Sequence, residues 1–181
     1  LMPWLGAERL ALFRGVRYSS MALLATGTCG PLPHDFYGLL FPRRESALLA
    51  SATIQAVRSA SSAPHGRDTL ALHLSGPAMA ALRQCDDKTL IGLMLAELRR
   101  LAPRYDPTPQ AAFQRLYRCP EALPEFEVGH FRRLQAFAAS EMDPPGLAFA
   151  GDYLGGPFVE GAILSGEAAA GRAMEGRRPS K

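Results

Sequence analysis

The chain lacks the cysteine pattern of a disulfide-stabilised or zinc-binding protein. Its three cysteines, Cys29, Cys85 and Cys119, are odd in number and widely spaced, and no Cys-x-x-Cys pair occurs. This spacing predicts reduced thiols and a cytoplasmic location, and it argues against a disulfide framework or a zinc site. The histidines are equally scattered, so we predict no metal site.

Long hydrophobic runs and a dinucleotide fingerprint are also missing. No uninterrupted apolar run reaches about 18 residues, so no transmembrane helix is predicted. No G-x-G-x-x-G unit follows a predicted strand, although such a unit is the usual signature of a Rossmann domain. The segment Gly27–Gly30 is too short for one, and the Pro-Leu-Pro that follows it cannot open a helix in the required way.

The body of the chain carries no excess of charge of either sign. The net charge is +3, but residues 171–181 hold four basic residues and one acidic residue, which accounts for the whole surplus. A nucleic-acid-binding protein would instead carry a basic stripe across its folded surface. We therefore predict no nucleic-acid partner, and we predict that residues 175–181 form a basic disordered tail.

Periodicity and turn signals predict an α+β fold. The chain has 181 residues, of which 48% are hydrophobic, enough for one domain or two small lobes. The clearest predicted helix is capped by Asp86 or Asp87 and buries Leu90, Met94, Leu98 and Leu101. Further helices are predicted at 5–14 and behind the Gly129-His130 turn. The predicted strands are Val16–Thr26, Tyr37–Phe41, Leu48–Val57, Thr69–Leu74 and Ala111–Tyr117.

The most informative stretch runs from Leu147 to Ala170. It is predicted to contain a short apolar strand at Leu147–Ala150, a glycine-rich turn with one acid, and a helix of small residues. The first turn of a helix directs unpaired N–H groups and the positive end of the dipole toward a polar group. The helix has a narrow apolar stripe, which must lie close to a sheet or a ligand. Its members are Val159, Ala162, Ile163, Gly166, Ala169, Ala170 and Ala173.

This stretch resembles the closing FAD-binding segment of the flavin amine oxidase and protoporphyrinogen oxidase superfamily. Residues 122–130, Ala-Leu-Pro-Glu-Phe-Glu-Val-Gly-His, resemble a second segment that is typical of the protoporphyrinogen oxidase branch. The two matches keep the family's order and approximate separation. The closing segment is matched at Gly151, Asp152, Val159, Glu160, Gly161, Ala162, Ser165, Gly166, Ala169 and Ala170.

The resemblance implies FAD as the cofactor. It places the carboxylate of Asp152 against the ribityl–pyrophosphate part of FAD and the backbone at the start of the helix against the pyrimidine edge of the flavin ring. A helix N-terminus there would stabilise the negative charge of a reduced flavin. The implied cofactor-binding residues are Gly151, Asp152, Pro157, Phe158, Val159, Glu160, Gly161 and Ala162.

The resemblance also implies dehydrogenation of a small organic substrate by hydride transfer to the flavin. Amine oxidases of the family usually hold a lysine near the flavin, but Lys88 and Lys181 lie at a helix start and at the terminus. This favours the protoporphyrinogen oxidase-like branch. Phe158 is interpreted equally as a wall beside the flavin or as a packing residue, and His130 as a local hydrogen-bonding residue. We assign no catalytic residue.

The architecture implied by the resemblance has three parts. Residues 1–140 would form part of a substrate domain with a mixed sheet, and residues 141–174 a strand-turn-helix that returns to a Rossmann FAD-binding domain outside this chain. One face of the helix at Val159–Ala173 would then be exposed. We therefore expect the C-terminal part of a longer flavoenzyme, cytoplasmic or peripheral to a membrane, which does not bind FAD tightly by itself.

Two alternatives remain open. The chain could be a non-enzymatic, truncated or split subunit that completes an FAD site with a partner, and its bare helix face would then bind the half that supplies the Rossmann domain. It could also be a free-standing anion-binding α+β module that uses the Gly155-Gly156 turn.

Overall fold

The computed structural model describes residues 5–140 and 147–175. These residues fall into two structural units. One unit consists of Leu1–Ser19 with Glu121–Lys181, and the other of Ser20–Pro120. Two long strands begin in one unit and end in the other, so the chain passes between the units twice.

The unit Ser20–Pro120 is built on a five-stranded sheet in the order β2-β3-β4-β1-β5. Antiparallel pairing is seen between β1 and β4, between β2 and β3, and between β3 and β4. The mixed sheet that was predicted is therefore corrected to an antiparallel one, because the connections from β2 to β3 and from β3 to β4 are short and reverse the chain without a long crossover. The strands are β1 Tyr18–Thr28, β2 Gly38–Leu40, β3 Leu49–Ile54, β4 Thr69–Leu74 and β5 Ala111–Pro124.

The core of this unit lies between one face of the sheet and a long helix, α4. Helices α2 (Gln55–Arg58) and α3 (Gly76–Ala81) precede α4, which spans Asp87–Leu101. Asp86 caps α4 and accepts a hydrogen bond from the Thr89 N–H at 3.0 Å, as predicted. The buried residues of α4 are Leu90, Met94, Leu95 and Leu98. They pack in one cluster with sheet residues such as Leu24, Leu72 and Ile54.

The other unit contains four helices among its described residues. Helices α1 (Ala7–Gly15) and α5 (His130–Ala139) precede a single-turn helix, α6 (Asp152–Gly155), and the long helix α7 (Val159–Glu175). An aromatic cluster of Phe13, Phe137, Phe149 and Tyr153 brings α1 and α5 together with the segment that leads into α6. Arg9 packs against the Phe137 ring, with its guanidinium carbon 4.4 Å from the ring centroid. Through Phe149 and Tyr153, this cluster fixes the position of residues 147–156 against α1 and α5.

The structure departs from the predicted elements at three places. Strand β3 ends at Ile54, and the chain continues as helix α2 where a strand to Val57 was predicted. Strand β5 continues to Pro124, beyond the predicted end at Tyr117. Residues 147–150 are not part of a strand. A strand requires hydrogen bonds to a neighbour, and no strand of the described residues lies beside this segment.

Two predictions are not decided by the described residues. The basic tail lies almost wholly outside them, since only Glu175 of that segment is described, as the last residue of α7. The division into a substrate-domain part at 1–140 and a cofactor-contacting part at 141–174 stays a prediction. Within residues 5–140 and 147–175, no helix is long and apolar enough to cross a membrane.

Candidate functional site

The turn between residues 149 and 156 is attached to α7 by two hydrogen bonds. The Gly151 N–H donates to Ser165 Oγ at 3.0 Å, and Arg172 Nη2 donates to the Phe149 carbonyl at 3.3 Å. Ser165 is buried, so its hydroxyl oxygen is protected from competing water. The serine of the recognised sequence pattern therefore acts as an anchor for the turn that contains Asp152.

Close backbone packing accounts for the glycines at positions 155, 156 and 161. A Cβ atom on Gly161 would lie 2.6 Å from the Gly156 carbonyl oxygen and 2.8 Å from its nitrogen, and one on Gly155 would overlap the Gly161 carbonyl. Gly156 also has φ of 141°, which other residues rarely adopt. The spacing of these glycines therefore reflects contact of the turn with the first turn of α7.

Asp152, the acid of the turn, is held by Tyr18 from the first position of β1. Tyr18 Oη donates to Asp152 Oδ1 at 2.6 Å. Burial raises the pKa of Tyr18 to about 12, helped by the hydrogen bond to Asp152 and by its negative charge. The hydroxyl therefore keeps its proton at neutral pH and remains a donor. Tyr153 also has a raised pKa, because its ring is partly buried and lies near the Asp152 charge.

His130 anchors the residue that follows the acid. Its Nε2 lies 3.0 Å from the Tyr153 carbonyl oxygen, and since a carbonyl only accepts, Nε2 carries the hydrogen. The imidazole is buried and stacks on Phe126, with 4.1 Å between ring centroids. Gly129, with φ of 89°, turns the chain into α5 and so directs His130. This geometry agrees with the interpretation of His130 as a local hydrogen-bonding residue.

The start of α7 is exposed at Phe158, Val159 and Glu160 and buried at Gly161. The Phe158 N–H donates to the Gly156 carbonyl at 2.8 Å, and the Ala162 N–H donates to the Phe158 carbonyl at 3.2 Å. Between them, the N–H groups of Val159, Glu160 and Gly161 have no acceptor in the described part of the chain, as expected of a first helical turn. Phe158 and Val159 are 57% and 77% exposed.

The face of α7 that packs on its own unit differs from the predicted stripe. The buried positions are Gly161, Ser165 and Ala169, which recur every four residues. Of the predicted stripe only Ala169 is fully buried, while Val159 and Ile163 are largely exposed. The larger apolar side chains therefore point away from their own unit, and the small ones face it.

Sequence reasoning identified the acid and the turn but missed Tyr18. Tyr18 is 134 residues before Asp152, and nothing in its neighbourhood indicates a partner. Ser165 was identified by the recognised pattern alone, since the predicted helical stripe left it out. In the described residues, no group of three or more histidine, cysteine or acidic side chains is placed to hold a metal ion.

Comparison with solved structures shows which folds the chain resembles. The chain resembles the structure of a protein from Exiguobacterium sp. 255-15 assigned as a protoporphyrinogen oxidase, with a TM-score of 0.72 and 20% identity over 92% of this chain. It also resembles an oxidoreductase from Methanosarcina mazei, with a TM-score of 0.57 and 17% identity over 94% of this chain. A reduced UDP-galactopyranose mutase matches 70% of this chain, with a TM-score of 0.52 and 23% identity.

The chain is shorter than each of these structures. It spans 37% of the Exiguobacterium protein, 38% of the Methanosarcina protein and 26% of the mutase. The sequence model of the flavin containing amine oxidoreductases matches residues 8–174, which is most of the chain and includes both recognised segments. The chain therefore belongs to the flavin-containing amine oxidoreductase family.

Proposed function

We propose that this chain is the C-terminal part of an FAD-dependent oxidoreductase that dehydrogenates an organic substrate by hydride transfer to the flavin. The observation that carries the proposal is the exposed start of α7 at Val159 and Glu160, in a helix that also anchors the turn of Asp152 through Ser165, in a chain of a flavin-containing family. The proposal covers the cofactor, the reaction and the need for a second, Rossmann-type half.

The chemistry of the donor set fits FAD. A carboxylate at Asp152 accepts hydrogen bonds, as the hydroxyls of a ribityl chain require. The N–H groups of Val159 and Glu160, at exposed positions, donate, as the carbonyl oxygens of a flavin pyrimidine require. The residues that would hold FAD in this way are Gly151, Asp152, Pro157, Phe158, Val159, Glu160, Gly161 and Ala162.

In this proposal FAD is the two-electron acceptor, and the residues of the chain bind the cofactor and orient its ring. The positive end of the α7 dipole would favour negative charge on the pyrimidine edge. Phe158, more than half exposed at the start of α7, would flank the ring or the substrate. We assign no proton-transfer residue; Lys88 lies in the first turn of α4.

The exposed apolar face of α7 supports the need for a second half. Ile163 and Leu164 are each 55% exposed, and Val159 is 77% exposed, on the first turns of the helix. Exposed apolar side chains in a contiguous patch are typical of a surface that another domain covers. We propose that the Rossmann half, in the same polypeptide or in a partner, packs on this face, in a cytoplasmic or membrane-peripheral protein.

The same exposure favours a second candidate function. A split subunit without activity of its own would present this face to a partner and complete the FAD site only in the complex. The two candidates differ in where the Rossmann half is encoded. An in-frame G-x-G-x-x-G unit upstream of Leu1 supports the enzyme, and its absence from the same reading frame supports the split subunit.

FAD binding tests the proposal directly. We expect the chain alone to leave the fluorescence of micromolar FAD unquenched, and we expect the chain together with its Rossmann half to retain FAD on purification. In that assembly Asp152→Ala should lower the flavin content, measured by absorbance, while Glu125→Ala, at an exposed position, should leave it unchanged. Full flavin content in Asp152→Ala would contradict the role of Asp152, and tight binding by the chain alone would contradict the need for a second half.

A further inference from the structure

We propose that Tyr18 is a positioning residue for the flavin site: its hydroxyl holds Oδ1 of Asp152 so that the carboxylate presents Oδ2 to a ligand hydroxyl. The inference depends on the proposed role of Asp152 in binding FAD. It adds a residue that lies far from the recognised motif in sequence and that no pattern in the chain marks.

The geometry of the pair is that of a strong hydrogen bond. The Oη–Oδ1 distance of 2.6 Å lies in the range of hydrogen bonds to an ionised acceptor. A carboxylate can only accept, so the tyrosine is the donor. The raised pKa of Tyr18 supports this assignment, since the hydroxyl stays protonated throughout the physiological range.

Tyr18 is fixed independently of the turn that it holds. The carbonyl of the preceding residue, Arg17, accepts a hydrogen bond from the Glu125 N–H at 2.8 Å, and Ser19 Oγ donates to the Leu123 carbonyl at 3.2 Å. The strand is therefore anchored on both sides of Tyr18. The backbone that carries the tyrosine ring is therefore held independently of Asp152.

The backbone on both sides of Asp152 is fixed as well. Gly151 is bonded to Ser165, and the Tyr153 carbonyl is bonded to His130. The Asp152 side chain can then still rotate about its own bonds, and the hydrogen bond from the Tyr18 hydroxyl restricts that rotation. Among the described residues, Tyr18 is the side chain that hydrogen-bonds to Asp152, through Oδ1. In the proposal Oδ2 is the oxygen that meets the ligand donor.

Tyr18→Phe removes the hydroxyl and keeps the ring. In the flavin-loaded assembly we expect the dissociation constant for FAD to rise about tenfold, as for loss of one hydrogen bond to a charged group. Tyr37→Phe, which removes the hydroxyl of an exposed tyrosine, is the matched control and should change nothing. If Tyr18→Phe leaves the dissociation constant for FAD unchanged while Asp152→Ala raises it, the inference about Tyr18 is wrong and the proposed function still stands.

A double variant separates positioning from a general structural effect. If Tyr18 acts through Asp152, the double variant Tyr18→Phe/Asp152→Ala should bind FAD no more weakly than Asp152→Ala alone. Additive losses would overturn the inference. If Asp152→Ala leaves FAD binding unchanged, the proposed role of Asp152 fails and the inference fails with it.

The hydrogen bond itself can be measured on the chain without FAD. In a chain labelled with ¹³C at tyrosine Cζ, the Tyr18 resonance is identified by its loss in Tyr18→Phe. We expect its titration midpoint to lie near 12 and to fall in Asp152→Asn, because the amide removes the negative charge that disfavours the tyrosinate and its N–H donors can stabilise the tyrosinate. A midpoint that Asp152→Asn leaves unchanged would overturn the inference, whatever the flavin-loaded assembly shows.

Discussion

Single glycines in the candidate site differ in what a methyl group would meet. A Cβ atom on Gly161 would lie 2.6 Å from the Gly156 carbonyl oxygen, which is closer than van der Waals contact. A Cβ atom on Gly166, five residues later on the same helix, would have nothing within 4 Å. The two residues have the same conformational freedom as glycines within a helix. The two positions therefore differ only in the packing around them, and alanine substitutions there form a matched pair of variants.

We predict that Gly161→Ala destabilises the chain and that Gly166→Ala stabilises it. Overpacking against the Gly156 backbone should lower the free energy of unfolding by about 1–3 kcal/mol. At Gly166 the helix propensity of alanine should raise it by about 0.5–1 kcal/mol. Urea unfolding followed by circular dichroism measures both. Equal changes in the free energy of unfolding at the two positions would show that the turn does not pack closely against the start of α7.

Glu97 is a residue whose charge should control stability in acid. Its carboxylate is hydrogen-bonded to the Arg100 guanidinium, at 2.8 Å, and to Ser46 Oγ, at 2.7 Å. The Arg100 hydrogen bond, with that of Ser46 and the Arg100 charge, outweighs desolvation and lowers the pKa of Glu97 from 4.5 to about 2. The unfolded chain therefore binds this proton at a higher pH than the folded chain does.

We predict that Glu97 contributes stability above pH 4.5 that is lost as the pH falls toward 2. The free energy of unfolding of Glu97→Gln should accordingly depend less on pH across that range than that of the parent chain. Glu125→Gln, at an exposed position, is the control and should retain the parent profile. Parallel profiles for Glu97→Gln and the parent would contradict the prediction.

At the scale of elements, the sequence pattern identified α4 well. The apolar period, the cap at Asp86 and Pro103 after the last turn are local signals, and the structure confirms the buried positions 90, 94 and 98. Leu101, which was also predicted to be buried, is only partly buried because it is the last residue of the helix. The structure adds Leu95, which lies one helical turn after Ile91 and one before Leu98, on the same side of the helix. Strand ends were less predictable, because partner strands decide where pairing stops.

We predict that two identical truncations in α4 have different effects. Leu90 is fully buried and Leu93 is 41% exposed. Leu90→Ala should lower the free energy of unfolding by about 2–5 kcal/mol, since it leaves a cavity under the sheet. Leu93→Ala should lower it by about 1 kcal/mol or less. Urea midpoints compare the two, and a larger loss for Leu93→Ala would contradict the assignment of the buried face.

At the scale of the whole chain, the two units differ in continuity. Residues 20–120 are one uninterrupted segment, and the buried core cluster, from Ala22 to Tyr105, lies entirely within it. The other unit is assembled from two separate segments of the chain. A continuous segment with its own core has what a domain needs to fold alone.

We predict that a polypeptide of residues 20–120 folds without the remainder of the chain. It should show dispersed amide resonances and a single cooperative urea transition, because its core is internal. The same polypeptide with Leu90→Ala should have a lower midpoint, as in the full chain. A collapsed spectrum with a gradual transition would show that the core depends on the other unit.

The sequence by itself determined the family, the α+β class, the main helix and the position of the acidic turn, because these depend on local spacing, capping and a contiguous motif. Tertiary structure alone decided the antiparallel order of the strands, which side of α7 is buried, and the partner of Asp152. These depend on contacts between residues far apart in the chain, such as Tyr18 and Asp152, and on whether a neighbouring backbone leaves room for a Cβ, as between Gly156 and Gly161. No local pattern records such distances, because the chain sets them only when it folds.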